Sequence, residues 1–514
     1  MNKVKRALIS VYDKTGVLPF AKSLHELGIE IISTGGTAVL LKKEGIPVKE
    51  VSEITKFPEM LSGRVKTLHP NLHAGLLAVR DNSQHMETLA EHNIKPIDLL
   101  VVNLYPFAET LRTKTEEADI IEMIDIGGPA MLRSAAKNFH FVASVCDPAD
   151  YSTVLKELQK NDRKLSLETL KKLAGKVFAL TAGYDQVISG YFNRNGSPAV
   201  GALPQRLSFE FEKVSDLRYG ENPHQKGALY REKNKLAGIV KAKKLQGKEL
   251  SFNNILDLDA AMQMVTAFEG TACGIMKHTN PCGFALGKNV LEAYKNAYGC
   301  DPLSAFGGIL GFNQIVDGKT AKMILSNGFV ECIVARDFTK EALEIFQTKK
   351  NIRLLADPGD GAEVLDFKKV SGGLLAQDHD ITDPVAADLK TVTKRAPKKS
   401  EIADLLFAFK VCRYLKSNAI VIAKKNATLG LGMGLPSRVD ACEVAVRKAG
   451  KRAKGAVLAS DGFFPKPDSV QLAKKCGISA IIQPGGSIQD PEVIQAADRA
   501  GIAMVFTGVR HFRH

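Results

Sequence analysis

Hydrophobic and polar positions along the first part of the chain change repeatedly between the period of a strand and the period of a helix. Residues 7–11 predict a strand, and residues 17–27 place leucines on one face of a helix. A second strand at 29–33 leads into another apolar helical pattern, and residues 97–104 form a continuous apolar run typical of a strand buried on both faces. The alternation predicts an α/β domain with a parallel sheet.

The pattern is interrupted at residues 193–206, which combine glycine, proline and polar residues without either period. Such a composition is typical of a domain connector. A chain of 514 residues also exceeds the size at which a single core stops growing. We therefore expect two domains, residues 1–199 and residues 200–514.

Within the second domain, two segments show the same succession of a helix and a strand. Helix patterns at 256–268 and 402–415 lead into apolar strands at 273–277 and 419–423. We interpret these segments as two copies of one fold, and the less regular stretch 340–400 as their division.

The composition adds a preference for anionic ligands. Lys and Arg number 70 against 56 Asp and Glu, a net charge of +14. A basic RNA-binding protein is one alternative, but such proteins interleave basic residues with stacking aromatics, and here Trp is absent and aromatics are 7%. The eight scattered cysteines form no C-x-x-C pair, which predicts reduced thiols in a cytoplasmic protein. No apolar stretch is long enough for a signal peptide or a membrane span.

In the first domain, polar residues follow strand ends, where open parallel sheets bind ligands. Thr34, Gly35, Gly36 and Thr37 stand between a strand and a helix. Glycines there let a phosphate approach the backbone, and the helix start favours an anion. A plain tight turn is the alternative for this tetrapeptide.

Further polar groups follow at similar places in the first domain. The segment Arg64–Pro70 concentrates cationic and hydroxyl donors suited to phosphate or a developing oxyanion, with a solvated basic loop as the alternative. Asn103 and Tyr105 end the buried strand, and Asp125 precedes a glycine pair and a helix pattern that contains Lys137. Several such elements together indicate a ligand site.

In the second domain, Lys277 and His278 end an apolar strand where the chain turns out of the sheet. We expect the adjacent Lys cation to disfavour protonation of the imidazole, which would leave His278 available as a base near neutral pH. A structural histidine is the alternative. Further turns follow strands at 461–465 and 484–487, and residues 510–514 close the chain.

Three motifs are specific enough to indicate a family: SGRVKTLHP at 62–70, LRYGENP at 217–223 and KHTNPCG at 277–283. With SVYDKTG at 10–16 and RHF at 510–512, the chain closely resembles, over nearly its whole length, the purine-synthesis enzymes that join aminoimidazole carboxamide ribotide (AICAR) transformylase to inosinate (IMP) cyclohydrolase. The resemblance implies a methylglyoxal-synthase-like, Rossmann-like N-terminal domain. It also implies a C-terminal domain of two cytidine-deaminase-like lobes.

The resemblance places the cyclohydrolase site in the N-terminal domain. In that reaction a carboxamide nitrogen attacks an N-formyl carbon and water is lost, which needs orientation and proton transfer more than a strong nucleophile. Lys66, Tyr105, Asp125 and Lys137 are implied to surround the reacting atoms. The residues implied to hold the nucleotide are Ser10, Lys14, Thr34, Gly35, Gly36, Thr37, Arg64, Thr67 and Asn103.

In the transformylase reaction the exocyclic amine of the ribotide attacks the formyl carbon of the co-substrate 10-formyltetrahydrofolate. By resemblance, His278 removes the amine proton and Lys277 stabilises the oxyanion of the intermediate. Glu331 stands where some relatives carry Asp. The residues implied to position the ribotide are Arg218, Tyr219, Gly307, Glu331, Asn418, Arg438, Phe463 and Arg510, and those implied to contact the folate are Asp468 and Ser487.

Zinc chemistry is not expected, although the implied fold is shared with zinc deaminases. Those enzymes require a P-C-x-x-C motif, whereas Pro281 and Cys282 are followed here by Gly-Phe-Ala. A zinc-dependent nucleoside deaminase and a basic RNA-binding protein stay as alternatives. The resemblance further implies a homodimer whose transformylase sites lie at the interface, with no nucleic-acid or membrane partner.

Overall fold

A computed structural model describes residues 2–195, 203, 205–232, 237–356, 358–359 and 365–514. The chain divides into two compact units, Met1–Ser208 and Phe209–His514. Part of the predicted connector, residues 196–202 and 204, lies outside the described residues. Its first residues do not form a connector, because a long helix continues to Asn195.

The sheet of the first unit consists of β1 (Arg6–Ser10), β2 (Glu30–Ser33), β3 (Val48–Glu50), β4 (Leu99–Val102) and β5 (Ala143–Val145). Its order is β3-β2-β1-β4-β5, and every neighbouring pair is parallel. The carboxyl ends of all five strands therefore lie at one edge. The predicted parallel α/β sheet is confirmed.

Helices cover both faces of this sheet, because successive side chains of a strand point to opposite faces. In β1, Ala7 and Ile9 join the core cluster that includes Phe20, whereas Leu8 joins the cluster that includes Leu132. The helices are α1 (Val17–Glu26), α2 (Gly35–Lys43), α3 (Val51–Thr55), α4 (Pro70–Leu77), α5 (Ser83–Glu91), α6 (Phe107–Thr113), α7 (Glu117–Glu122), α8 (Gly127–Lys137), α9 (Tyr151–Lys160) and α10 (Leu167–Asn195).

In the described residues of the second unit, the strands form one twelve-stranded sheet and two separate hairpins. They are β6 (Phe211–Leu217), β7 (Gly227–Glu232), β8 (Lys243–Gln246), β9 (Thr271–Lys277), β10 (Asn280–Gly287), β11 (Ile309–Phe312), β12 (Cys332–Ala335), β13 (Arg353–Ala356), β14 (Leu365–Val370), β15 (Gly373–Asp378), β16 (Lys390–Thr391), β17 (Ile420–Lys424), β18 (Ala427–Gly432), β19 (Val457–Ser460), β20 (Ala480–Gln483) and β21 (Ala503–Phe506).

The large sheet repeats one strand order on both sides of the antiparallel pair β10 and β18. One side runs β10-β9-β11-β12-β13 with β8 at the edge, and the other runs β18-β17-β19-β20-β21 with β16 at the edge. On each side the first two pairings are antiparallel, the next two are parallel and the edge pairing is antiparallel. Two copies of one fold produce this arrangement.

Helices of the second unit pack on both faces of the large sheet. The helix before each copy's first hairpin supplies large side chains to one shared core cluster, for example Leu258 and Phe409. The helices are α11 (Phe252–Thr266), α12 (Val290–Tyr298), α13 (Pro302–Ala305), α14 (Gly318–Ser326), α15 (Lys340–Phe346), α16 (Lys399–Cys412), α17 (Arg438–Ala449), α18 (Asp468–Lys475) and α19 (Asp490–Ala500).

Candidate functional site

A cavity that opens to solvent lies at the carboxyl ends of β1, β2 and β4 in the first unit. All but one of the residues predicted for ring closure line it. These are Ser10, Lys14, Thr34, Gly35, Gly36, Thr37, Arg64, Lys66, Thr67, Asn103, Tyr105 and Asp125.

The start of α2 forms one wall of this cavity. Gly35 has a φ of 51°, which favours glycine, and the N-cap Thr34 makes no side-chain cap hydrogen bond. A Cβ added to Gly36 would meet nothing within 4 Å, so an anion has room to approach the free amides. Thr37 is tied to β1, since its Oγ1 donates to Val11 O at 3.0 Å.

Asn103 and Arg64 both line the cavity while bound to neighbouring protein groups. Asn103 Oδ1 accepts from the backbone N–H groups of Tyr12 and Asp13 at 2.6 and 3.0 Å. β4 ends at Val102, where its pairing with the last residue of β1, Ser10, also ends, and not at residue 104. The exposed Arg64 guanidinium pairs with Glu122, Nε to Oε2 at 3.1 Å.

Asp125 is one of the titratable groups of the cavity whose pKa is shifted. Burial raises its pKa, and the hydrogen bond from the backbone N–H of Gly128, at 2.8 Å, and the charge of Lys66 offset only part of that effect. Burial, assisted by the charge of Asp125, also raises the pKa of Tyr105. The cavity therefore contains a carboxyl group that protonates more readily than usual beside a lysine.

Tyr184 and Lys14 shape the surroundings of the predicted reacting groups. The Tyr184 hydroxyl accepts from Asp125 N and donates to Met123 O, both at 2.8 Å, which fixes the loop before α8. Nothing in the pattern of α10 predicted this contact. Burial lowers the pKa of Lys14, and the like charge of Lys66 lowers it further.

Lys137 is the predicted ring-closure residue that does not line the cavity. It is exposed and is the last residue of α8, whose first residue, Gly127, is in the lining. Ten residues at about 1.5 Å each separate the two by about 15 Å. Lys137 therefore lies outside the lining, and its role near the reacting atoms stays a prediction.

In the second unit, His278 and Thr279 form the two-residue turn between β9 and β10. Both have positive φ, 56° and 59°, and the His278 side chain is exposed. Lys277 Nζ donates to Phe306 O at 2.9 Å, which places it against the turn that contains Gly307. Glu331 N donates to Gly308 O at 3.1 Å, so Glu331 adjoins the same turn.

A cleft on the other lobe is built around a buried arginine. Arg438 donates to Asp461 Oδ1 at 2.5 Å and to Asn418 Oδ1 at 2.6 Å. Arg438 and Asp461 are both buried, so the carboxylate fixes the guanidinium. The predicted residues that line this cleft are Asn418, Arg438, Phe463 and Asp468.

The turn at His278 and the cleft are joined through one hydrogen bond, from Lys416 N to Asn280 Oδ1 at 3.5 Å. Lys416 lies two residues before Asn418, and Asn280 lies two residues after His278. The Arg510 guanidinium stacks 4.3 Å from the ring centroid of Phe512, which lines the cleft. The structure thus places the predicted transformylase residues named here in two neighbouring groups, one at the turn of His278 and one at the cleft.

Three predicted transformylase residues, Arg218, Tyr219 and Ser487, contact residues outside the His278 turn and the cleft. The Arg218 guanidinium lies 4.6 Å from the ring centroid of Tyr219 and donates to its hydroxyl at 2.7 Å. Ser487 N donates to Asp490 at 3.2 Å, and Ser487 Oγ accepts from Gln489 N at 3.1 Å.

Cys282, which follows Pro281 in β10, is a buried thiol. Burial raises its pKa to about 12. Among the described residues, no group of three or more His, Cys, Asp or Glu side chains is placed to hold a metal ion. Within the same residues, no helix combines the length and apolar character that crossing a membrane requires.

Comparison with known proteins identifies the chain's relatives. The family model described as AICARFT/IMPCHase bienzyme matches residues 135–448, and that of the MGS-like domain matches residues 16–130. A bifunctional purine biosynthesis protein PurH from Thermoanaerobacter is 50% identical, covering 99% of this chain and 100% of the relative. Another PurH protein, from Neisseria gonorrhoeae, is 52% identical, and the match includes 100% of this chain and 100% of the relative.

A solved structure titled as the crystal structure of ForH is 35% identical in sequence, with a TM-score of 0.34. The match includes 38% of this chain and 99% of the ForH chain. The family matches and the full-length relatives agree with the three motifs read from the sequence. The chain belongs to the AICARFT/IMPCHase bienzyme family and is a bifunctional enzyme of purine biosynthesis, with formyltransferase and IMP cyclohydrolase activities on nucleotide and folate substrates.

Proposed function

We propose that the two activities reside in different units: ring closure in the cavity of the first, and formyl transfer from 10-formyltetrahydrofolate to AICAR around Lys277 and His278 in the second. The observation that supports this division is the convergence of Lys66, Tyr105 and Asp125 in a cavity formed wholly by residues 10–131.

For ring closure, the start of α2 and the cation of Lys14 bind the nucleotide phosphate. Lys66 and Tyr105 stabilise the oxygen that becomes negative when the carboxamide nitrogen attacks the formyl carbon. Asp125 moves the protons that convert this oxygen into departing water, a task suited to a carboxyl whose pKa burial raises. Lys137, the last residue of α8, is proposed to assist these groups from outside the cavity lining.

For formyl transfer, His278 accepts the proton of the attacking ribotide amine. Lys277 stabilises the oxyanion that forms as the amine bonds to the formyl carbon. Collapse of this intermediate breaks the bond to the tetrahydrofolate nitrogen, which takes the proton that His278 had accepted. Asn418, Arg438 and the neighbouring aromatic residues position the ribotide, and Asp468 contacts the folate. No step requires a metal ion.

We further propose that the enzyme is a cytoplasmic homodimer. All eight cysteines are unpaired, in agreement with a reducing compartment. Support for a dimer comes from the two hairpins of the second unit, β6–β7 and β14–β15, which leave several large apolar side chains exposed, an arrangement typical of interaction surfaces. These include Phe209, Phe211, Val214, Tyr230, Leu374 and Leu375.

One assay tests the division of labour: AICAR and 10-formyltetrahydrofolate are supplied, and tetrahydrofolate, formylated intermediate and IMP are followed. His278→Ala should abolish tetrahydrofolate release but still convert supplied formylated intermediate to IMP. Lys66→Ala should release tetrahydrofolate and accumulate the formylated intermediate. The control is Lys425→Ala, in the turn between β17 and β18 of the second lobe, which should behave as wild type.

Loss of both activities in either folded variant would contradict the two-site proposal. One zinc ion bound tightly per chain, with deamination of a nucleoside, would favour the deaminase alternative. A nucleic-acid complex that survives moderate salt would favour the RNA-binding alternative.

A further inference from the structure

A buried carboxylate lies directly beneath the turn that carries His278. Asp257 is in the second turn of α11 and only 7% of it is exposed. Its Oδ1 accepts the Thr279 N–H at 2.5 Å, and its Oδ2 accepts the His278 N–H at 3.2 Å. One carboxylate therefore binds both amides of the turn.

This turn needs such support because of its sequence. Two-residue hairpins with positive φ at both central positions normally contain Asn-Gly or Asp-Gly. Here the positions are taken by His278 and the β-branched Thr279, for which a left-handed backbone is unusual. Conformations of this kind persist where the surrounding structure imposes them, and they concentrate at active sites.

The second lobe contains the same arrangement, a two-residue turn with positive φ bound by an aspartate, but without a histidine. Lys425 and Asn426 form the turn between β17 and β18 with φ values of 54° and 56°. Asn426 N donates to Asp404 Oδ1 at 3.1 Å. Asp404 precedes Lys424 by 20 residues, and Asp257 precedes Lys277 by the same 20.

The two copies differ in how firmly the turn is held. Asp404 binds one amide of a turn that contains Asn, a residue that tolerates a left-handed backbone. Asp257 binds both amides of a turn in which the β-branched Thr279, a residue that tolerates such a backbone less, takes the place of that Asn. The stronger anchor thus occurs in the copy that places a histidine at the solvent-exposed tip.

We propose that Asp257 is a positioning residue for formyl transfer, fixing the His278–Thr279 turn so that the imidazole faces the reacting amine. The inference rests on the proposed role of His278. Other contacts at the turn are local: Thr279 Oγ1 and Asn280 Nδ2 both donate to His278 O, at 2.7 and 3.1 Å. Neither of them binds the two amides.

The first test is Asp257→Asn, which keeps the shape but leaves only one acceptor oxygen. We expect kcat for formyl transfer to fall about 30- to 100-fold, since small displacements of a reacting group are costly. The KM for the ribotide should change less than about threefold, and ring closure of supplied intermediate should be unchanged. Asp404→Asn, the matched control, should retain full formyl transfer.

The second test is rescue by a glycine. Thr279→Gly allows positive φ without steric cost, so in the Asp257→Asn background it should restore kcat by about tenfold or more. A group that acted through its own proton transfer would not be replaced in this way. Absence of rescue, a wild-type rate for Asp257→Asn, or an equal loss for Asp404→Asn would each overturn the inference.

The tests distinguish misfolding of Asp257→Asn from failure of the proposed role of His278. If Asp257→Asn is insoluble, the double variant is compared with Thr279→Gly alone: rates within about fivefold support positioning, and a loss beyond about tenfold overturns it. His278→Ala decides the other question. An active His278→Ala enzyme refutes the proposed role of His278, whereas an inert one beside a fully active Asp257→Asn refutes only the positioning by Asp257.

Discussion

Asp125 combines a proposed chemical role with a cost to folding. Its pKa is raised above the ordinary aspartate value, chiefly by burial. Because burial disfavours the ionised carboxylate in the folded unit, its ionisation costs folding stability, which is lost as the pH rises from the ordinary aspartate range toward neutrality. Below the ordinary aspartate range the group is protonated in both states, and the cost disappears.

Asp125→Asn should therefore stabilise the first unit at neutral pH while it removes activity. The amide keeps an acceptor for Gly128 N, and ring closure should fall by at least about 100-fold with loss of the proton carrier. The Tm measured at pH 7 should exceed that of wild type, and the difference should vanish as the pH falls below about 4. Asp81→Asn on the surface is the control, and a lower Tm for Asp125→Asn at pH 7 would contradict this account.

Residue roles were predictable to different degrees. The loop at Lys66 and the strand end at Asn103 could be predicted because motif and strand position coincide there. Lys137 was assigned by resemblance alone, and helix geometry places it about 15 Å along α8 from Gly127. Asp257 was missed because an aspartate within a helix pattern resembles a surface residue. Its signal was the 20-residue spacing to Lys277, repeated in the second lobe.

At the scale of elements, strand and helix come unusually close at matching places in the two lobes. A Cβ on Gly283 of β10 would overlap Ala297 O of α12, and one on Gly430 of β18 would overlap Ala445 O of α17. Each helix can lie this near its strand only because the strand residue lacks a side chain.

Gly430→Ala should destabilise the second unit by about 1–3 kcal/mol, the usual cost of overpacking, because the overlapping atom belongs to the backbone and cannot rotate away. Denaturant unfolding of the second unit measures the change. Gly373→Ala is the matched control, since its Cβ would come no closer than 3.6 Å to Val370. Equal free energies of unfolding for the two variants would contradict this prediction, because they would mean that α17 can shift away from β18 at no cost.

The two exposed hairpins provide the element-scale test of the dimer. The two hairpins are in contact through the rings of Phe209 and Phe367, whose centroids lie 5.0 Å apart. Phe211, beside this contact, is 53% exposed. Phe211→Asp should shift sedimentation from dimer to monomer and reduce formyl transfer, while ring closure remains. Phe192→Asp, also exposed but on α10, is the control and should leave the assembly unchanged. A wild-type sedimentation profile for Phe211→Asp would remove this hairpin from the interface.

The alternation of elements was predictable, whereas their order in space was not. Apolar periodicity identified β1, β2 and β9 within one or two residues. It could not indicate that β10 and β18 pair across the two copies, because such pairing depends on contacts far apart in sequence. Likewise, α11 begins earlier than its apolar pattern, since Ser251 and Asn254 form a capping box.

At the scale of the molecule, each unit has the parts that an independent domain requires. The first unit contains two hydrophobic clusters of its own, one on each face of its sheet. Its cavity lining extends only from Ser10 to Met131. The chain's net charge of +14 suits substrates that carry phosphate or carboxylate groups in both reactions.

A fragment of residues 1–208 should therefore fold alone and convert supplied formylated intermediate to IMP at a rate within about tenfold of the full chain, because its core and cavity lie within it. Circular dichroism and a single cooperative unfolding transition would establish the fold, and IMP absorbance would give the rate. The same fragment with Lys66→Ala is the control and should be folded and inactive. A folded but inactive wild-type fragment would mean that ring closure depends on the second unit, which contradicts a cyclohydrolase site contained within the first.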